Sequence, residues 1–119
     1  MDRKQALMHL RDKVVAGESR AQVEEAAFAV WPDGVDHFKA TYASAAYSKS
    51  IDAAKALHEA VLPEWLWFLG NLHDIENGFV AIVTDGPYPD ADGSRAYSIC
   101  PARAWLLAIL EALIAQEGV

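Results

Sequence analysis

The chain has one cysteine, Cys100, in 119 residues. One thiol cannot form an internal disulfide or a site built from several thiolates, and it suits a reducing cytoplasm. Long apolar runs are missing as well: nothing approaches the roughly 20 residues that a spanning helix needs. The opening MDRKQALMHLRDK is charged throughout, so neither a membrane anchor nor a signal peptide is expected. Basic residues are few, ten Lys and Arg against 17 Asp and Glu, for a net charge of −7. That balance excludes a general cationic grip on nucleic acid or on an anionic membrane. The shortage is sharpest between Lys55 and Arg95, where no Lys or Arg occurs while Glu59, Glu64, Asp74, Glu76, Asp85, Asp90 and Asp92 do. These seven acids equal the whole net charge. The stretch reads either as solvated loops or as an acidic binding face.

Signatures of chemistry are absent too. His9, His37, His58 and His73 form no H-x-H or H-E-x-x-H pair, so a zinc site would have to be assembled from distant segments, and none is expected. Asp85, Asp90 and Asp92 with Gly93 miss the alternating ligand series of a calcium loop, and no bidentate glutamate closes them. The glycines and prolines between Asp85 and Ser94 are not followed by G-K-[ST], so no phosphate loop is read there. Cys100 directly precedes Pro101 in an apolar neighbourhood, where small buried thiols are ordinary. No catalytic residue, metal or cofactor is expected.

What the chain does have is a globular balance, with 53% apolar and 23% charged residues, and a length that suits one domain over 1–119. Leu7, Leu10 and Val14, at three-and-four spacing, predict an amphipathic helix over residues 3 to 15, ended by Gly17. Ser19 with Gln22 predicts the cap of a second helix, whose stripe of Val23, Ala26, Ala27, Val30 and Trp31 stops at Pro32-Asp33-Gly34. The two form a helical hairpin over 1–34. From Val35 to Lys49 no period of 2 or 3.6 persists, and the stretch reads as mostly loop in which Phe38, Tyr42 and Tyr47 pack down. Ser50 predicts an N-cap with Asp52 in the first turn, where a carboxylate meets the positive end of the helix dipole. Ile51, Ala54, Leu57 and Val61 follow on one stripe up to Pro63.

Trp65 to Leu69, Phe79 to Thr84 and Arg95 to Cys100 read as strands, joined by a polar connection over Gly70 to Asn77 and a surface loop over Pro87 to Ser94. A helix from Ala102 to about Gln116 closes the chain, apolar on nearly every side. The expected class is α+β: a helical hairpin, then over 47–116 a helix, a three-stranded antiparallel meander and an apolar C-terminal helix.

At Tyr47-Ser48-Lys49-Ser50-Ile51-Asp52-Ala53-Ala54 the chain resembles a group of small proteins encoded by phages and prophages, the phage ABA-sandwich domain group. A tryptophan-bearing strand like Trp65-Leu66-Trp67, a glycine-aromatic strand like Gly78-Phe79-Val80-Ala81 and a helix start similar to Cys100-Pro101-Ala102-Arg103-Ala104 complete the outline. A cysteine stands there where the group has serine or threonine. The resemblance runs from about Tyr47 to Gln116. It implies a phage context and an α+β fold, and it transfers no catalytic residue.

The expected function is therefore that of a phage or prophage accessory protein in the host cytoplasm, binding a host or phage protein without catalysis. The expected contact is the loop carrying Asp85, Tyr88, Asp90 and Asp92, an aromatic anchor within a charged rim. Trp65 and Trp67 share one strand face, and beside Arg95 they can stack on a base or a partner side chain if that face is not fully covered. Trp105, Ile109 and Ala112, on the all-apolar last helix, are expected to meet a second copy. The alternative is a counter-defence inhibitor, in one of two forms. It is either an acidic mimic of nucleic acid that blocks an immune effector, or an oligomer that sequesters a nucleotide signal with its aromatics, Arg95 and Arg103. The net charge disfavours the second form.

Overall fold

Each of the first two helices starts where a side chain can satisfy free backbone amides. The computed structural model describes residues 2–32, 37–72, 78–85 and 94–117. In α1 (Arg3–Ala16), Asp2 accepts from the Gln5 amide at 2.8 Å and the Gln5 side chain accepts from the Asp2 amide at 3.1 Å, a reciprocal cap. Gly17 ends α1 at φ 71°, its amide donating to the Val14 carbonyl while the Glu18 amide donates to that of Lys13. This left-handed turn suits glycine because it has no Cβ. Ser19 then caps α2 (Arg20–Val30) by accepting from the Gln22 amide.

The stretch expected to be mostly loop contains a helix, α3 (His37–Tyr47). Its buried face is Ala40, Ala43, Ala46 and Tyr47, whereas Phe38 is exposed and Tyr42 only partly buried, the two rings forming an edge-to-face pair at 5.7 Å. The helical period thus lies in small alanines and is obscured by aromatics on the outer side. Alanine has the highest helix propensity, and its small side chain lets neighbouring helices approach closely. Here α3 packs between α2 and α4 (Ile51–Val61). Ser44, buried in α3, accepts from Arg20 and donates to Glu24, tying α3 to α2. α3 ends with Lys49 at φ 83°, its amide donating to the Ala46 carbonyl and the Ser50 amide to that of Ala45. Ser50 caps α4 through the Ala53 amide at 3.1 Å, with Asp52 in the first turn.

Strands β1 (Leu66–Leu72), β2 (Gly78–Thr84) and β3 (Ser94–Ser98) form an antiparallel sheet in the order β1-β2-β3. Gly70 to Leu72, expected in the polar connection, extend β1, and β3 stops two residues before Cys100. The register pairs Trp67 with Val83, and Phe68 with Ile82 and through it Arg95. Alternation therefore puts Trp67, Leu69, Phe79, Ala81, Val83 and Ala96 on one face. Leu66, Phe68, Val80, Ile82, Arg95 and Tyr97 stand on the other.

Helix α5 (Pro101–Glu117) packs on the first face against β2 and β3, and its far side meets α1, α3 and α4. It lies between the sheet and a helical layer, which explains an apolar circumference that a surface helix would not need. Trp105, Ile109 and Ala112 are 1%, 0% and 1% exposed within a single chain. They are consumed by the chain's own core, which corrects the expectation that they face a second copy. Salt bridges from Arg11 to Glu111 and from Arg3 to Glu117 join α1 to the polar edge of α5. Among the described residues no helix is long and apolar enough to cross a membrane.

Candidate functional site

The sheet face turned away from α5 is the first surface of interest. Leu66, Phe68 and Tyr97 stand half-exposed on it around the better buried Val80 and Ile82. The Phe68 ring lies over Gly70, where an added Cβ would come within 2.7 Å of it.

This face continues round the β3 edge into a groove. The end of α1, the end of β3 and the start of α5 enclose about 330 Å³ lined by Val14, Val15, Gly17, Tyr97, Ser98, Ile99, Arg103 and Leu107. That volume is at the lower end of the range for ligand sites. Ile99, Val15 and Tyr97 are 75%, 69% and 54% exposed, the highest values of any large apolar side chain among the described residues. Isolated exposed apolar residues are ordinary, but the three most exposed around one concavity are a patch.

Local sequence explains the arrangement. Val14 belongs to the buried stripe of α1, so its neighbour Val15 must point away from the core. On β3, Ala96 takes the inner face, which turns Tyr97 outward. Ile99 follows the strand and the Cys100 amide donates to Ser98 Oγ at 3.2 Å, forming the junction into α5.

Arg103, in the first turn of α5, is the one charged side chain in the lining. Its Nε donates to the Tyr47 carbonyl at 2.7 Å and its guanidinium lies 4.0 Å from the Tyr47 ring centroid. The Tyr47 hydroxyl in turn donates to the Glu18 carbonyl. This chain fixes the arginine at the C-terminal end of α3, where a cation is favourable. No carboxylate of the described residues forms an ion pair with it.

A second depression, between α1 and α2, is lined by His9, Lys13, Gln22, Glu25, Ala26 and Ala29. It carries charges of both signs and no bulky apolar anchor. Among the described residues no group of three or more His, Cys, Asp or Glu is placed to hold a metal ion.

The residues singled out from sequence are placed as follows. Asp85 is exposed just past β2, while Tyr88, Asp90 and Asp92 lie outside the described residues. The groove is at the opposite end of the sheet from Asp85, because Ser98 pairs with Phe79 at the start of β2. Trp65 is half-buried against the core, and Trp67, itself half-exposed, lies against Trp105 with ring centroids 4.3 Å apart and planes tilted by 32°. Arg95 projects from the other face, so the sheet does not bring the two tryptophans and Arg95 together. The indole of Trp105 has a further partner. Its Nε1–H donates to His58 Nδ1 at 3.3 Å, and His58 Nε2 lies 2.9 Å from the Trp65 carbonyl. The carbonyl can only accept and the indole N–H can only donate, so the imidazole is neutral with its proton on Nε2 and Nδ1 free of one. Burial lowers the His58 pKa from its ordinary value, against weaker opposing effects of the Trp65 carbonyl and Glu59.

The sequence reading missed Val15, Tyr97, Ile99 and the position of Arg103. The available signal was steric: in Val14-Val15 one valine must leave the core, and Tyr97 and Ile99 alternate opposite Ala96 and Ser98. No family model, curated protein or solved structure matches the chain.

Proposed function

We propose that the protein acts by binding another protein without catalysis, and that the groove between α1, β3 and α5, with the adjoining open sheet face, is its contact surface. The observation that carries this reading is the gathering of Ile99, Val15 and Tyr97, the three most exposed large apolar side chains of the described residues, around one concavity. Apolar and aromatic anchors in a depression are what protein contacts use. The phage or prophage setting is supported by the resemblance alone. A reducing host cytoplasm suits the buried free thiol of Cys100. The alternative of an acidic counter-defence mimic is supported by Glu59, Glu64 and Asp85, which stand exposed. The oligomeric nucleotide-sequestering form has no such support.

The test is recovery of a partner from a host lysate with the wild-type chain and with Ile99→Lys, folding of both being checked by circular dichroism. A partner held by the wild type and lost by the variant supports the groove. Equal recovery by both contradicts it and, where the complex also dissolves steeply between low and moderate salt, favours the acidic surface.

A further inference from the structure

We infer that Arg103 makes the groove selective for a carboxylate, so that its occupant is a protein segment in which a bulky apolar residue adjoins an acidic one. The inference rests on the groove reading above and names the chemistry of what fills it. Three observations carry it. Arg103 is the only charge in a lining otherwise made by Val14, Val15, Gly17, Tyr97, Ser98, Ile99 and Leu107. Its guanidinium is held in place by the Tyr47 carbonyl through Nε and by the Tyr47 ring, so that among the described residues only Nε is hydrogen-bonded and the two terminal nitrogens can meet a ligand. No carboxylate of the described residues occupies them, although the chain carries 17 acids against ten Lys and Arg.

A planar guanidinium fixed in advance presents two parallel donors to a carboxylate and loses little conformational freedom on binding it. The net charge of −7 acts only weakly at this point. Charges beyond a screening length of about 8 Å are damped at physiological salt, and the groove wall itself contributes only a cation. The apolar walls then hold the flanking side chain, and the arginine sets the register of the segment.

The test uses an end-blocked tripeptide of leucine, glutamate and leucine and its glutamine twin, each titrated into the full-length protein and followed by amide chemical shifts. The glutamate peptide should move the Val15, Tyr97 and Ile99 amides and bind about tenfold more tightly than the twin, as a charged hydrogen bond exceeds a neutral one. Arg103→Gln should bring the ratio to about one. Should that variant unfold because it releases Tyr47, the same loss of preference is sought in the wild type at high salt. Equal binding of the two peptides at these amides would overturn the role of Arg103 and leave the groove standing. Movement of none of these amides would overturn both readings. Groove shifts that grow with protein concentration and no peptide would mean a second copy as occupant, and would also overturn the inference.

Discussion

The two ends of the helices that terminate in left-handed turns differ by one residue type, and the difference is measurable. Gly17 and Lys49 adopt nearly the same conformation, φ 71° and φ 83°, with the same pair of backbone hydrogen bonds. Only lysine meets the Cβ penalty there, of roughly 1–2 kcal/mol, part of which a glycine would return to the flexibility of the unfolded chain. Lys49→Gly should therefore stabilise the protein by about 0.5–1 kcal/mol in urea unfolding, and Gly17→Ala should destabilise it by about 1 kcal/mol. Ser50→Ala, which removes the acceptor of the Ala53 amide, should cost about 1 kcal/mol. A cap that left stability unchanged while abolishing partner binding would show that Ser50 has a functional role. Gly17, Ser19 and Ser50 were legible from sequence because their chemistry is local. Lys49 was not, since nothing in its side chain announces a positive φ.

Among the elements, those with a bulky apolar period or a β-branched run could be read, and α3 could not. Its buried face of Ala40, Ala43 and Ala46 carries little hydrophobic signal, while Phe38 and Tyr42 attract attention from the outer side. The apolar circumference of α5 was visible, but its cause was not: only the assembled layers show that sheet and helices both cover it. His58, in α4, is where element packing depends on pH. It is 2% exposed, with Nδ1 accepting from Trp105 and Nε2 directed at the Trp65 carbonyl. A second proton on the ring would face the Trp105 N–H, donor against donor. The folded-state pKa lies below the unfolded value of about 6.5, so the unfolded chain binds the proton more readily. The contribution of His58 is thus complete above about pH 6.5 and is lost as the pH falls through the lower, folded-state value. Unfolding free energy should decline from pH 7 to pH 5 in the wild type, and His58→Gln should flatten that part of the profile.

At the scale of the molecule, α5 joins two layers that do not otherwise pack extensively on each other. Trp105 is the clearest link: it lies against Trp67 of the sheet and bonds to His58 of the helical layer. Trp105→Ala should cost about 3–5 kcal/mol. In the wild type, helical content by far-ultraviolet circular dichroism and tryptophan fluorescence should report the same urea midpoint; separate midpoints would show that the layers unfold independently. The candidate site was the least legible part of the sequence. Residues 15, 97, 99 and 103 are brought together only when α1, β3 and α5 meet, and Val15, Tyr97 and Ile99 belong to no local motif. The acid-only stretch, by contrast, was conspicuous in the sequence and directed attention to the other end of the sheet. Hydrogen exchange on the isolated complex with its partner distinguishes the two ends most directly. Slower exchange at the amides of residues 14–17 and 97–99 is the result expected of a groove that binds protein, whereas protection confined to residues 85–94 would contradict it.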